Sequence, residues 1–251
     1  MTARATAGEI IDVCVEAQPH PPYYYPDRDG SLQILQKMAA ARAGYTLEFR
    51  GEPTRRCLEE LRINSADAVG AAAVTGIALS IGIFPRRDGA VDKQKALATA
   101  RTVAYRLKGS QADWNGQSFS RLDARILIPP GMVLLTQKLN QIGAAYDDGA
   151  SDTAQIASKL LVQRAELAIG LEYDVAEMMK RNEFAGKFEI LPAPFTETEY
   201  YMVFSRQFYA DHAEQAENMW KAIAAVRRSP EFAAALRRAG LPPLDLPPLA
   251  K

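Results

Sequence analysis

The chain has 251 residues, 48% of them apolar and 24% charged, with thirty basic and thirty acidic side chains. That length suits one large domain or two lobes of about 100–150 residues each, and the composition is that of a globular protein rather than a disordered one. A formal net charge of zero leaves no global electrostatic footprint for nucleic acid or an anionic membrane, so neither is expected as a partner.

Residues 1–8 (MTARATAG) are small and polar and lack the apolar core of a signal peptide. On that reading the protein is either cytoplasmic or a mature chain with a start Met added. Residues 10–15 (IIDVCV) form a short β-branched run and predict a buried strand. The Pro- and Tyr-rich stretch EAQPHPPYYYPDRDG follows as a loop, because its prolines forbid regular structure. Apolar spacing predicts a helix over 31–43, closed by Gly44 as its C-terminal cap. Residues 45–49 (YTLEF) alternate as a second strand, and 54–64 predict a helix with Cys57, Leu58 and Leu61 on one face. Residues 66–71 (ADAVGA) read as a third strand. Strand, helix, strand, helix, strand implies a parallel sheet with covering helices.

The longest apolar run, 68–84 (AVGAAAVTGIALSIGIF), has seventeen residues and is interrupted by Gly70, Gly76 and Gly82. It is short for a membrane span and predicts a buried strand, a loop and a second short segment. The pattern then repeats. Residues 102–107 (TVAYRL) and 125–128 (RILI) are strand-like, and PPGMVLLTQKLNQIG predicts a helix from Pro130 or Gly131 to Gly143. A helix over 154–163, a buried strand over 165–171 and another over 200–204 come next. Helices over 213–228 and 230–239 precede an extended, proline-rich tail, LPPLDLPPLAK.

Enzyme chemistry finds little support. Cys14 and Cys57 are not spaced as a metal motif, and His20 and His212 are the only histidines. There is no GxSxG, no Walker loop and no GxGxxG after a strand. The chain is expected to be no enzyme and to hold no metal and no cofactor.

Several segments, in order, resemble the type II periplasmic solute-binding proteins, and most of all their amino-acid-binding group (family 3), which serves ABC importers. The residues that carry the resemblance are Pro21-Pro22-Tyr23, Arg56-Cys57-Leu58 with Asp67-Ala68-Val69, and Phe84-Pro85. YRLKGS, KLLVQRAELAIG and YYMVFSRQF continue it, so that it covers nearly all of 10–241. The resemblance implies an α/β fold with two lobes. Each lobe has a mixed, mostly parallel sheet covered by helices, and a two-segment hinge joins them (periplasmic binding protein-like II). Lobe 1 would be discontinuous, 8–101 with 199–251, and lobe 2 would be 102–198. A ligand would sit between the lobes at the carboxyl ends of the strands, and hinge closure would be the working motion. The resemblance also sets the strand of Cys14 beside the helix of Cys57. It implies a Cys14–Cys57 disulfide, with two buried thiols as the alternative.

The departures from the family pattern carry information too. Amino-acid binders use an Arg, matched to a planar carboxylate, at a position that is Ala78 here. The small hydroxyl residue five positions earlier is Ala73. The Asp that would hold a ligand ammonium is replaced by Leu171, with Glu172 next to it. The candidate ligand-binding residues are therefore Glu16, Tyr23, Tyr25, Arg56, Ala73, Ala78, Phe84, Gly131, Met132 and Glu172. Tyr23 and Tyr25 would supply aromatic walls, or pack on the lobe surface. Glu16 would contact a ligand or be a hydrogen-bonded carboxylate. Arg56 would be the remaining ligand cation or a surface ion pair. Gly131 and Met132 lie at a helix start, which suits an anion. Phe84 would be a hinge-side aromatic, and Asp152 a helix cap.

The expected function is that of a periplasmic, monomeric binding protein. It would capture a small solute, not an ordinary amino acid, for an ABC transporter and its permease. The alternative is a periplasmic accessory protein on the same fold that binds a protein partner instead of a metabolite.

Overall fold

In the computed structural model, residues 10–25 and 27–246 are described. The segment 1–8, the first residues assigned to lobe 1, and the last five residues of the tail lie outside them.

In chain order the elements are β1 (Ile10–Glu16), α1 (Ser31–Ala43), β2 (Thr46–Glu52), α2 (Thr54–Arg62), β3 (Ala68–Ala73), α3 (Gly76–Ile81) and β4 (Gly82–Ile83). A small hairpin, β5 (Arg86–Arg87) with β6 (Ala90–Val91), leads to β7 (Ala98–Leu107). A second hairpin, β8 (Asp113–Trp114) with β9 (Phe119–Ser120), precedes β10 (Ile126–Leu127), α4 (Val133–Gln141), β11 (Tyr146–Asp147) and α5 (Thr153–Leu161). Then come β12 (Ala168–Leu171), α6 (Glu172–Lys180), β13 (Phe188–Ser205), α7 (Arg206–Asp211), α8 (Ala213–Val226) and α9 (Pro230–Arg238).

The chain divides into two compact units. Unit 1 is 1–99 with 198–251, and unit 2 is 100–197. The backbone passes between them twice, within β7 and within β13. Each unit follows the same rule of construction. In unit 1 the strand order is β2-β1-β3-β13, with β1 parallel to both β2 and β3 and β13 antiparallel to β3. In unit 2 the order is β11-β10-β12-β7, with β10 parallel to β11 and β12, and β7 antiparallel to β12. Parallel neighbours need crossovers, and α1, α2, α4 and α5 supply them. The architecture is α/β, with mixed, mostly parallel sheets covered by helices.

The two faces of β1 bury different chemistry, as the period of two requires. Ile11, Val13 and Val15 pack into the main core of unit 1 with Leu35, Met219, Trp220 and Ile223. Cys14 faces the other way, into a smaller cluster with Cys57, Leu61, Val69 and Tyr201. That second face holds α2, a nine-residue helix with few apolar residues. A disulfide joins Cys14 of β1 to Cys57 of α2. Beside it, Arg50 of β2 reaches Glu60 of α2 at 2.7 Å and Asp12 of β1 at 3.0 Å. Unit 2 has its own two clusters on either side of its sheet. In one, buried Trp114 donates to the Pro194 carbonyl and packs with tilted rings against Phe119 and Phe195.

Some expectations shift on contact with the structure. The helix after Pro129-Pro130 begins at Val133, because Gly131 has φ 77, a left-handed value that a helix cannot include. The end of the apolar run 68–84 is helix α3 followed by β4, where a loop and a short segment were expected. The strand over 200–204 is the end of an 18-residue strand. Helix α6 and both small hairpins have too few periodic residues to announce themselves in the sequence.

Removing the disulfide should cost unit 1 stability. The bond joins cysteines 43 positions apart in the sequence, and the loop-entropy relation assigns such a closure about 4 kcal/mol. Denaturant unfolding with and without reductant should show a lower midpoint when reduced. The oxidised, denatured protein should show no free thiol. Two titratable thiols, or unchanged midpoints, would contradict the pairing.

Candidate functional site

Parallel pairing brings the carboxyl ends of β1, β2 and β3 to one edge of unit 1. The residues there come from distant parts of the sequence: Glu16, the loop 17–25, the start of α2, and the turn from β3 into α3.

The loop is stitched to the start of α1. His20 accepts from the backbone N–H groups of Tyr23 and Tyr24 at 2.8 and 3.0 Å, and its own N–H reaches the Tyr24 carbonyl. The carbonyls of Pro22 and Tyr23 then take the first free N–H groups of α1, at Ser31 and Leu32. Gly30 is required at this join, because a Cβ there would sit 2.1 Å from the Tyr23 carbonyl oxygen. The three tyrosines separate in role. Tyr24 is buried, and its hydroxyl meets Gln36, whose side-chain amide donates to the Gly70 carbonyl. Tyr23 and Tyr25 are half-buried. Tyr23 stacks on His20, and the Arg28 guanidinium lies 4.1 Å over the Tyr25 ring.

Glu16 is committed to the architecture. Its carboxylate accepts from the Thr54 N–H at 3.0 Å, from the Thr54 hydroxyl, and from the Gln18 N–H at 3.2 Å. It caps a helix whose own N-cap is Pro53, which has no side-chain acceptor. Burial pushes the Glu16 carboxyl up, but the Thr54 hydroxyl and the backbone N–H groups outweigh it and hold it below its ordinary value. Arg56 is exposed and pairs with Glu60 one turn along α2 at 2.9 Å.

Ala73 is half-buried at the end of β3. Ala78 and Phe84, candidates for ligand contact, the latter as a hinge-side aromatic, are core residues, 3% and 2% exposed. Ala78 lies inside α3, with its N–H donated to the Thr75 hydroxyl that caps the helix. Phe84 packs edge-on against Tyr201. The residues this edge does expose are Val74 and Ile77, the latter 69% exposed. The apolar character of the run was legible in the sequence. Which of its residues point outward depends on α3.

In unit 2 the carboxyl ends of β10, β11 and β12 share an edge in the same way. After β10 come exposed Gly131, half-buried Met132 and Val133, the last 62% exposed. Asp147 ends β11, with Lys159 at 3.7 Å. Asp152 caps α5 by accepting the Gln155 N–H at 2.8 Å, and Ser151 is bound by Gln155. Leu171 ends β12. Glu172 opens α6, where an acid suits the positive helix end. Its carboxylate lies 3.9 Å from Arg101, which pairs more closely with Glu197 at 2.8 Å. Sequence reasoning missed Arg101 because it lies mid-strand in β7 and its partners come from elsewhere. Among the described residues no group of three or more His, Cys, Asp or Glu could hold a metal ion, and no helix is long and apolar enough to cross a membrane.

No family model and no curated protein matches the chain by sequence. Solved structures do match it. The probable amino-acid ABC transporter extracellular-binding protein ytmK of Bacillus subtilis is 15% identical, with a TM-score of 0.67 over 92% of this chain and 97% of that one. The fold is that of the type II periplasmic solute-binding proteins. The amino acid ABC transporter substrate-binding protein AbpA of Streptococcus pneumoniae, solved bound to L-arginine, is also 15% identical, with a TM-score of 0.60 over 92% and 94%. A histidine kinase sensor domain described as similar to periplasmic binding proteins is 13% identical, with a TM-score of 0.65 over 96% and 99%. In this fold the carboxyl ends of parallel strands are the general place for ligands.

The capping role of Glu16 has a pH signature. Its folded carboxyl is held below the ordinary value of 4.5. Its contribution is therefore full above that value and fades as pH falls through the lower folded value. Glu16→Gln should lower stability by about 1 kcal/mol at neutral pH, as loss of a helix cap does. The difference from wild type should shrink in acid. Chemical denaturation at pH 7 and in acid checks this, and a constant difference would remove the capping role.

Proposed function

We propose that this chain is a periplasmic solute-binding protein. It takes up a small molecule at the carboxyl ends of its parallel strands, hands it to an ABC importer, and uses the crossing strands β7 and β13 as a hinge. The fold and the placement of half-buried Tyr23 and Tyr25 at a strand-end edge support this reading. Its ligand is not an ordinary α-amino acid.

The exclusion of amino acids rests on Ala78 and Leu171, which carry no charge. Position 78 is an alanine enclosed in α3, and Arg56 is engaged by Glu60. An α-amino acid brings a carboxylate and an ammonium, and each must find a partner in a mostly dry site or cost several kcal/mol. In unit 2, Leu171 offers no anion and Glu172 lies beside Arg101. The ligand on this reading has apolar or aromatic surface and at most one charge, with tyrosine rings to receive it.

One observation favours a second reading, a protein partner. Val74 and Ile77 are 38% and 69% exposed at the same edge. Exposed aliphatic side chains grouped at one place mark interaction sites more often than scattered ones do. On this reading the chain is an accessory protein, and the edge docks a protein surface.

A thermal-shift and calorimetry panel tests both. None of the twenty amino acids should bind in the micromolar range, since losing one buried charged contact weakens binding by about two to three decades. Aromatic or aliphatic solutes with one charge or none should raise the melting temperature. Micromolar binding of any ordinary amino acid would overturn the ligand assignment. A silent panel, with a protein retained specifically by wild type and not by Ile77→Asp, would decide for the second reading.

A further inference from the structure

Unit 2 carries another feature at the opposite end of its sheet. A cavity of about 540 Å³ opens at the amino ends of β10 and β11, between residues 117–125 and 142–145. Small-molecule sites typically measure about 300–1,000 Å³. Two arginines line this one, Arg121 and Arg125. Arg121 donates one guanidinium N–H to Gln111 at 2.6 Å, which leaves its other donors for a ligand. Arg125 is exposed and has no hydrogen-bond or ion-pair partner among the described residues. Asp123 also lines the cavity, and Glu166 lies beside it, accepting the Ala124 N–H at 3.1 Å. Neither carboxylate pairs with either arginine.

The topology adds positive charge at this end. Lys108 follows β7, which runs antiparallel to β12, so it lies at the amino end of β12. Its N–H bonds the carbonyl of Lys187, which precedes β13. Arg164 comes shortly before β12. None of these three side chains is in an ion pair among the described residues. The wall formed by Leu122 and Ile142 is apolar, with Ile142 40% exposed. Arg121 itself has φ 53, a left-handed value uncommon outside glycine. The loop thus sets an arginine at the cavity at some conformational cost.

We propose that this cavity is a binding site for a small anionic molecule, a carboxylate or a phosphate, held by the guanidinium groups of Arg121 and Arg125. Guanidinium donors form a planar fork that matches both groups, and the adjacent apolar wall suits a short carbon skeleton. The site is separate from the strand-end edge and does not depend on the function proposed for it.

The full chain, labelled with nitrogen-15, should be titrated with inorganic phosphate and, separately, with succinate, following the backbone amides. A saturable shift confined to 117–125 and 142–145 is expected from at least one probe. Response to phosphate alone assigns a phosphate ligand, and response to succinate alone a carboxylate. Arg121→Gln and Arg125→Gln should each weaken binding about tenfold, as loss of a charge-assisted contact does. Glu16→Gln, in unit 1, should leave it unchanged. No saturable shift with either probe would overturn the site, and so would undiminished affinity in the double arginine variant with an otherwise unaltered spectrum.

Discussion

The parallel pairing of β1 with both β2 and β3 governs what unit 1 can do. Parallel strands cannot be joined by tight turns, so each connection must climb back over the sheet as a helix. β1, β2 and β3 then end at the same edge. Residues 16, 23–25, 54–56 and 73–78, distant in sequence, become neighbours for that reason alone. Unit 2 repeats the arrangement around β10, and Asp147, Gly131 and Glu172 reach one edge by the same constraint.

The tie between α2 and the sheet engages several charged side chains. A nine-residue helix with little apolar surface cannot be held by burial alone. It is held by a disulfide, by Arg50 bridging Asp12 and Glu60, and by the Glu16 carboxylate at its first turn. Two charged groups at this edge, Glu16 and Arg56, are therefore already engaged. Arg56 is drawn to Glu60, and Glu16 to Thr54. Beside exposed Arg28 and Arg55, the edge presents aromatic and aliphatic surface: Tyr23, Tyr25, Val74 and Ile77.

Unit 2 shows the opposite balance at its two ends. At the carboxyl ends of its strands the acids Asp147 and Glu172 each have a cation within 4 Å. At the amino ends, Arg125, Lys108, Lys187 and Arg164 stand without acid partners among the described residues. The chain is neutral as a whole, so this unevenness is invisible in composition. It arises because antiparallel β7 and β13 deliver their lysines to the end where β10 and β12 begin.

The sequence by itself determined the fold class. Hydrophobic periodicity and turn residues mark strands and helices one after another, and their alternation dictates parallel sheets under helices. It also determined that position 78 carries no cation and that position 171 carries no anion, because identity is a property of sequence. Local signals placed the caps at Gly44 and Asp152 correctly, since capping depends on a few neighbouring residues. Direction and partnership were decided only in the tertiary structure. Whether Ala78 and Phe84 face a ligand or the core turns on how α3 packs, and the run 68–84 reads equally apolar either way. Whether Glu16 is free turns on Thr54, which comes within reach only when α2 folds back onto β1, whereas Arg56 meets Glu60 as soon as α2 forms. Arg101, Glu172 and Glu197 meet only through the pairing of strands far apart in sequence. Long-range contacts of this kind are set by register and packing, and no window of neighbouring residues contains them.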